Sequence, residues 1–463
     1  MIERLPSGIA RLDQMLEGGL LKYGINLIVG VPGSGKTILS QQFAFHNATA
    51  DEPVLYLSTM SEPLDKILRY SESATFFDRA AVRDGRVVYE DLGHVMAEQT
   101  LVDVLAAIDR YIKQSAPGLI VIDSFRAFHQ ITRDTAEFRR FLHSLTRRLT
   151  ASSVTSLWNA PYTREQALDA AEFAIADAII ALDIKQMAQR EMRVMRILKL
   201  RGSNFRSGEH AYRIGEGGFE VFPRLADLSM GARYDISPKH TATGIAALDA
   251  LLGNGGYWAG ATTLVAGPSG IGKTLMGLHF LFRGAEVGEP GIIATFQENE
   301  TQLERVVAGF GWSFDGSKVR VLSRSVVDLN IDEWVYNLLD LAEETGAKRI
   351  VVDSLGDLAG AAGDAVRFRE WMFSLSQRCT RAGVSLMLLV EVADLFDLRR
   401  VSDEGISHVA DNVVLLQYVQ EGSDLLRALT VLKTRAMRHH PVVHRYEINQ
   451  EGFVLGDAIS LTR

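Results

Sequence analysis

Short apolar runs alternate with longer amphipathic stretches along most of the chain. The short runs are apolar at nearly every position, which is typical of parallel strands covered on both faces. The longer stretches, such as Thr100–Lys113 and Thr135–Leu149, have helical periodicity. The predicted strands of the first half include Ile25–Val29, Val54–Leu57, Val87–Tyr89, Leu119–Ile122 and Val154–Leu157. This pattern predicts an α/β fold in which helices flank a mostly parallel sheet.

A long internal repeat divides the chain. Ser7-Gly8-Ile9-Ala10-Arg11-Leu12-Asp13 returns as Thr243-Gly244-Ile245-Ala246-Ala247-Leu248-Asp249, at an offset of 243 − 7 = 236 residues. A repeat of this length indicates two whole domains, which we expect at 1–225 and 243–463 with a linker at 226–242. Late in the first copy, Ala178–Leu182 and Arg193–Leu200 are adjacent strands, which predict an antiparallel extension of the sheet.

Each copy contains the G-x-x-x-x-G-K-S/T pattern between a predicted strand and a predicted helix. The glycines allow successive backbone N–H groups to face phosphate oxygens, and the helix start adds its positive dipole end. The lysine supplies charge for the outer phosphates, and the threonine hydroxyl is a magnesium ligand. The pattern predicts a bound nucleotide with Mg2+. The residues concerned are Gly30, Gly33, Ser34, Gly35, Lys36 and Thr37 in the first copy, and Gly267, Ser269, Gly270, Ile271, Gly272, Lys273 and Thr274 in the second.

An aspartate ends a buried strand in each copy. Asp123 follows Leu119–Ile122, and Asp353 follows the matching run Arg349–Val352. An aspartate in this position holds the magnesium ion, directly or through water. The pairing of this feature with a phosphate loop in both copies predicts two nucleotide sites in the chain.

The composition is that of a globular protein. Of 463 residues, 47% are hydrophobic and 23% charged, and no apolar run reaches the length of a membrane helix. The net charge of −8 gives no support for broad binding of nucleic acid. The N-terminus lacks a signal pattern, and the single cysteine, Cys379, fits a reducing compartment as a small buried hydrophobe. We therefore expect a cytoplasmic protein without membrane contact.

Together these features resemble the RecA superfamily and, more closely, the KaiC family of the circadian clock. The resemblance covers nearly the whole chain. It is carried by the S/T-G-I-x-x-L-D openings, the two phosphate loops, the two strands that end in Asp-Ser, Lys199-Leu200-Arg201-Gly202 and Asn412–Tyr418. It implies two tandem RecA-like P-loop domains, ATP hydrolysis, a hexameric double ring with ATP between neighbouring subunits, and a regulatory protein partner that the sequence does not name.

The resemblance also implies a base that activates the nucleophile. In the family, two adjacent glutamates follow the second strand; here the second copy has Gln297-Glu298, so Glu298 is the candidate. The first copy reads Met60-Ser61-Glu62. Glu62 is either the base of the first copy or a carboxylate that favours the start of a helix.

Two K-x-R triplets lie on late strands, and the cations of each triplet share one strand face. They are Lys199 with Arg201 and Lys433 with Arg435. The resemblance implies that they reach the γ-phosphate of the ATP bound by the neighbouring subunit. The alternative is a solvated strand face, which recurrence in both copies disfavours.

The family's second domain phosphorylates itself on a neighbouring Ser-Thr pair. Here Ser407 is present, whereas His408 stands in the threonine position. The resemblance therefore implies serine/threonine kinase activity that phosphorylates Ser407 and no second site. The alternative is that Ser407 is an ordinary surface serine.

Two other functions fit the same fold. The first is a DNA-dependent ATPase of the RecA type, such as a recombinase or helicase-type motor; the mixed charge of the loops after the Asp123 strand and the following strand does not favour it. The second is a nucleotide-switched scaffold with negligible turnover, which the incomplete glutamate pairs suggest.

Overall fold

The computed structural model describes residues 3–59, 64–98, 100–162, 166, 170–187, 190–225, 238–252, 255–327, 329–392, 409–435, 442–450 and 452–459. The chain forms two compact units, residues 1–224 and residues 225–463. In its described part, each unit contains a nine-stranded sheet and a two-stranded sheet.

The large sheet of the first unit is mostly parallel. Among the described strands its order is β11-β10-β9-β8-β3-β7-β6-β4-β5. The strands from β8 to β5 in this order are parallel, and β9, β10 and β11 are added antiparallel. The strands of this unit are β1 (Arg4–Leu5), β2 (Leu20–Leu21), β3 (Ile25–Gly30), β4 (Val54–Ser58), β5 (Val87–Asp91), β6 (Leu119–Asp123), β7 (Thr155–Ala160), β8 (Ala178–Met187), β9 (Arg190–Leu200), β10 (His210–Gly215) and β11 (Gly218–Phe222).

Helices cover both faces of this sheet. Along β6, Val121 belongs to a core shared with Phe43, and Ile122 belongs to the core of the opposite face with Phe141. Burial on both faces explains why these strands are apolar at successive positions. The helices are α1 (Ala10–Met15), α2 (Lys36–Asn47), α3 (Leu64–Ser71), α4 (Arg79–Arg83), α5 (Gly93–Glu98), α6 (Leu101–Ser115), α7 (Thr135–Ala151) and α8 (Ala171–Ile175), with a 3-10 helix at Phe125–Gln130.

The second unit repeats this arrangement. Its large sheet has the order β16-β15-β17-β18-β14-β19-β20-β21-β22 among the described strands, with β20 to β22 antiparallel. The strands are β12 (His240–Thr241), β13 (Tyr257–Trp258), β14 (Thr262–Gly267), β15 (Gly291–Thr295), β16 (Val319–Ser323), β17 (Arg349–Asp353), β18 (Ser385–Glu391), β19 (Asn412–Glu421), β20 (Asp424–Thr434), β21 (Val443–Asn449) and β22 (Gly452–Ala458). The helices are α9 (Ala246–Leu251), α10 (Lys273–Glu286), α11 (Glu300–Ala308), α12 (Ile331–Thr345), α13 (Leu355–Ala362) and α14 (Ala365–Arg381).

The predicted fold class is confirmed: two α/β units in tandem, each with a mostly parallel sheet and antiparallel C-terminal strands. Cys379 is buried in α14, as expected of a small apolar side chain. In the stretches that the structure describes, no helix is long and apolar enough to cross a bilayer. Because the central strands are parallel, the loops at their carboxyl ends meet at one edge of each sheet.

Candidate nucleotide sites

Each phosphate loop connects a central strand to the helix after it. The first loop joins β3 to α2, and the second joins β14 to α10. The residue before each helix is a glycine in the left-handed region, Gly35 with φ 90° and Gly272 with φ 107°. Side chains other than glycine rarely adopt this conformation. The helix start that follows has N–H groups without helical partners, which suits an anion.

The first glycine of each loop allows a close approach of the neighbouring strand. A Cβ at Gly30 would lie 2.1 Å from the carbonyl oxygen of Leu182, and one at Gly267 would lie 2.6 Å from that of Leu416. Both contacts are to backbone, which cannot move aside cheaply. Glycine is therefore required for two different reasons. At the first position of the loop it lets the neighbouring strand pack closely, and before the helix it adopts the left-handed backbone conformation.

The lysine of each loop folds back over the beginning of the loop. Lys36 donates from Nζ to the carbonyl oxygens of Gly30 and Val31, both at 3.0 Å. Lys273 makes the matching bonds to Gly267 and Pro268, both at 2.8 Å. Burial lowers the pKa of both lysines, partly offset by Asp123 in the first unit and by Glu391 and Asp353 in the second. A phosphate anion at the loop would favour the charged form of both lysines and so raise their pKa again.

The structure brings the predicted magnesium ligands together in both units. Thr37 donates from Oγ1 to Oδ2 of Asp123 at 2.7 Å, and Thr274 donates to Oδ2 of Asp353 at 2.6 Å. A hydroxyl beside a carboxylate offers the oxygen ligands that Mg2+ prefers. The pair lies at the carboxyl end of the strand, beside the loop.

The surroundings of the two aspartates differ. In the first unit, Tyr56 donates a second hydrogen bond to Oδ2 of Asp123, at 2.8 Å. In the second unit, burial raises the pKa of Asp353, and the charges of Asp357 and Glu391 raise it further. The second site is therefore richer in carboxylates than the first in the described part of the chain.

The serines and the isoleucine that we predicted in the loops occupy different environments. Ser34 is fully buried, and its hydroxyl has no hydrogen-bond partner among the described residues. Ile271, at the same loop position in the second copy, is buried in the apolar core, whereas Ser269 is exposed. Loop positions with such different side chains can serve the same ligand only through their backbone. Gly33 and Gly270 are left-handed, with φ 79° and 73°.

Glu298 follows β15 and is half-buried. Its backbone N–H donates to Oγ1 of Thr295 at 3.3 Å, which holds the turn after the strand. Oε2 of Glu298 is buried and makes no hydrogen bond to any residue in the described part of the chain. Burial raises the pKa of Glu298, and Asp353 raises it further. A raised pKa makes the carboxylate a stronger proton acceptor.

The neighbouring Gln297 is held by a carboxylate. Its Nε2 donates to Oδ2 of Asp357 at 3.2 Å, and Asp357 also accepts from Oγ of Ser354 at 2.7 Å. Two other predicted residues, Glu62 and Ser407, lie outside the described residues.

The K-x-R triplets lie far from the phosphate loop of their own unit. Arg435 donates to Oδ1 of Asp411 at 3.2 Å, and Oδ2 of the same aspartate accepts from the N–H of Thr262, the first residue of β14. The phosphate loop begins at the other end of β14, five residues on and so about 17 Å away. Lys433 donates to the carbonyl oxygen of Ala410 at 2.7 Å.

The first unit has the same arrangement. Arg201 donates to Oδ1 of Asp177 at 3.1 Å, and the N–H of Ile25, which begins β3, donates to Oδ2. Lys199 donates to the carbonyl oxygens of Phe173 and Ala174, both at 3.2 Å. The side chain of Arg201 is 56% exposed and that of Arg435 is 61% exposed, so both guanidinium groups are accessible to a partner.

A cleft of about 480 Å³ opens beside the first phosphate loop. Its walls come from the loop and from Ile67, Tyr70, Arg193 and Ile214. The cleft combines apolar, aromatic and basic side chains next to the phosphate cradle, a composition that suits a nucleoside.

Several residues at these sites were not predicted. No local sequence motif marks Tyr56 or Asp357. The same is true of Asp177 and Asp411, which directly precede β8 and β19. The repeat offers a signal for the last two, because Ala176-Asp177 returns as Ala410-Asp411. Tyr56 and Asp357 differ between the copies and have no such signal.

Two phosphate loops with their threonine–aspartate pairs, on two tandem sheets of this order, define a tandem RecA-like P-loop ATPase. The chain belongs to the KaiC family: the family model described as "ATPase: KaiC" matches residues 5–226 and 241–458. The predicted resemblance is thereby confirmed.

Curated relatives cover the chain almost completely. The circadian clock oscillator protein KaiC of Picosynechococcus is 26% identical over 99% of this chain and 90% of its own length. The circadian clock protein KaiC3 of Synechocystis is 27% identical over 98% of this chain and 92% of its own length. The circadian clock oscillator protein KaiC of Nostoc is 26% identical over 99% of this chain and 90% of its own length.

Proposed function

We propose that this KaiC-family ATPase binds Mg2+ and ATP at both phosphate loops and hydrolyses ATP at least in the second unit, as a ring of identical subunits that regulates a protein partner. The observation that carries this proposal is the convergence, in both units, of the loop lysine with a threonine–aspartate pair. Family membership supports an ATPase.

Each residue has a defined role in this proposal. Lys36 and Lys273 hold the outer phosphates, and the loop N–H groups bind phosphate oxygens. The pairs Thr37–Asp123 and Thr274–Asp353 hold Mg2+ in the two units, directly or through water; the ion would neutralise phosphate charge as it develops. Glu298 accepts the proton of the attacking water in the second unit.

The K-x-R triplets support hydrolysis across a subunit boundary. Because about 17 Å of strand separates Arg435 from its own loop, this arginine serves a different site or none. We propose that Lys433 and Arg435, and likewise Lys199 and Arg201, complete the sites of the adjoining subunit in a hexameric double ring. An arginine supplied in trans stabilises charge in the transition state.

The mass of the protein in solution tests this proposal. With Mg2+ and ATP, native mass spectrometry should find about 307 kDa, which corresponds to six chains of 51.1 kDa. Phosphate release should accompany ring formation. A protein that stays monomeric when saturated with ATP and Mg2+ would overturn the proposed ring. A ring without phosphate release would instead indicate a nucleotide-switched scaffold. Gln297, at the first position of the glutamate pair, favours that alternative.

We further propose Ser407 as an acceptor of the γ-phosphate, on the resemblance alone. Incubation with Mg2+ and ATP followed by peptide mass spectrometry should find phosphate on Ser407 and on no other residue of 401–412. An unmodified Ser407 in protein that is turning over ATP would exclude the kinase activity.

A further inference from the structure

The last two strands of each unit form a hairpin that contacts the phosphate loop. In the hairpin of β10 and β11, the hydroxyl of Tyr212 donates to the carbonyl oxygen of Ser34 at 2.7 Å. In the hairpin of β21 and β22, the hydroxyl of Tyr446 donates to the carbonyl oxygen of Ile271 at 2.6 Å. Both rings are buried. Ser34 and Ile271 occupy the same loop position, so the contact recurs in both copies.

The hairpin also packs on the glycine that precedes the helix. A Cβ at Gly35 would lie 2.3 Å from Cδ1 of Ile214, and one at Gly272 would lie 2.7 Å from Cδ1 of Ile448. Each isoleucine is two residues after the tyrosine and therefore on the same strand face. The hairpin thus reaches two consecutive residues of each loop.

A second bond ties each hairpin to the helix after the loop. The N–H of Phe219 donates to Oε1 of Gln42 at 2.9 Å, and the N–H of Phe453 donates to Nε2 of His279 at 3.0 Å. The phenylalanine rings stack on the tyrosines, with ring centroids 4.4 Å apart in the first unit and 4.1 Å apart in the second. Each tyrosine is therefore fixed by its hairpin and not only by its own hydrogen bond.

The bonded carbonyl belongs to the peptide group that presents the next N–H. A trans peptide group is planar, so its C=O and N–H point in opposite directions. A donor on the oxygen of Ser34 therefore fixes the direction of the N–H of Gly35, and the oxygen of Ile271 does so for Gly272. Hydrogen bonding at the oxygen also polarises the peptide group and strengthens its N–H as a donor. Burial raises the pKa of both tyrosines, so the hydroxyls remain donors at physiological pH.

We propose that Tyr212 and Tyr446 are positioning residues: each orients and polarises the peptide group before the loop's helix, so that its N–H binds a phosphate oxygen. This inference rests on the proposed function, because it assumes that the loops bind ATP. Through these tyrosines, the C-terminal hairpin of each unit contacts the phosphate loop and increases its affinity for the nucleotide.

The test removes one oxygen atom from the second site. Tyr446→Phe keeps the ring and its stacking and loses only the donor. In full-length protein whose first site is silenced by Lys36→Ala, the dissociation constant for N-methylanthraniloyl-ATP with Mg2+ should rise about five- to tenfold. Tyr257→Phe is the matched control, because Tyr257 is a buried tyrosine of the same unit whose hydroxyl has no hydrogen-bond partner in the described residues. Its dissociation constant should stay at the parent value.

A second readout separates positioning from a merely structural role. A hydroxyl that only stabilises the fold would lower the melting temperature of the nucleotide-free protein and leave the dissociation constant unchanged, and that result would overturn the proposal. If Tyr446→Phe does not fold, Tyr212→Phe in a Lys273→Ala background provides the same test at the first site. A parent protein that binds no nucleotide overturns the proposed function and the inference together, whereas binding that Tyr→Phe does not weaken overturns the inference alone.

Discussion

Replacing Glu298 with glutamine should separate nucleotide binding from hydrolysis in the second unit. The two side chains have nearly the same size, so the half-buried position after β15 keeps its packing. The amide cannot take a proton from water at neutral pH, whereas the carboxylate can. Oε2 is buried and has no hydrogen-bond partner among the described residues, so the substitution removes the proton acceptor without breaking a hydrogen bond at that atom.

The expected size of the effect follows from this position. A well-placed general base contributes about 10²- to 10⁴-fold to a rate, which is about 3–5 kcal/mol of barrier. The affinity for ATP should change by less than about threefold, because the phosphate cradle and the threonine–aspartate pair are untouched. The amide leaves an N–H2 group without an acceptor at the Oε2 position but removes a desolvated charge, so the free energy of unfolding should change by less than about 1 kcal/mol.

The assay is steady-state phosphate release in a Lys36→Ala background, so that only the second site turns over. Turnover of the parent should decline as pH falls through the pKa of Glu298, which burial raises, because only the deprotonated carboxylate accepts a proton. The glutamine variant should lose this pH dependence. Glu304→Gln, at an exposed position of α11, is the control. Turnover of the Glu298→Gln variant at the parent rate would refute the assignment of the base.

Three further predictions concern other parts of the second unit. Arg435→Ala should slow phosphate release and weaken ring assembly in native mass spectrometry, while the dissociation constant for ATP stays within about threefold of the parent value. An unchanged hydrolysis rate in the intact ring would contradict the role in trans. Asp353→Asn should raise the melting temperature of the nucleotide-free protein and abolish the extra stabilisation by Mg2+ with ATP. Burial raises the folded-state pKa of Asp353, so the parent loses stability as pH rises through that pKa, and calorimetry against pH should show no such loss in the variant. Arg349→Leu should destabilise the second unit by about 2–3 kcal/mol, since the buried guanidinium bonds Glu289 and two backbone carbonyls, and an unchanged denaturation midpoint would contradict this.

The phosphate cradle was predictable because its requirements are local. Gly35, Lys36 and Thr37 must follow one another at fixed spacing, and Asp123 must end an apolar run, so a short pattern with its flanking strand and helix is enough. The sheet was predictable for a similar reason, since strands that are buried on both faces have no polar alternation. The internal repeat removed the remaining ambiguity, because chance seldom produces the same combination twice.

The tyrosine contacts were not predictable in the same way. Tyr212 lies 178 residues after Ser34 in the chain, and an aromatic residue in a terminal hairpin suits a core equally well. The hydroxyl's role depends on the fold of the whole unit, which no local pattern describes. Aligning the copies does show that Tyr212-x-Ile214 returns as Tyr446-x-Ile448, but the repeat cannot say what the residues contact.

Comparison of the two sites indicates where their chemistry diverges. Sheet register aligns Asp123 with Asp353 and Asn159 with Leu389. Counting on from these residues, Ala127 and Pro161 of the first unit correspond to Asp357 and Glu391 of the second. The lysine, the threonine and the aspartate keep their bonds in both units, whereas the carboxylates around them occur in the second alone among these aligned positions. Burial raises the pKa of Asp353, and the charges of Asp357 and Glu391 raise it further, so a cation beside Asp353 would favour its ionised form. On the proposed function, we therefore expect both sites to hold the triphosphate through the same lysine, threonine and aspartate, and the second site to depend more strongly on Mg2+.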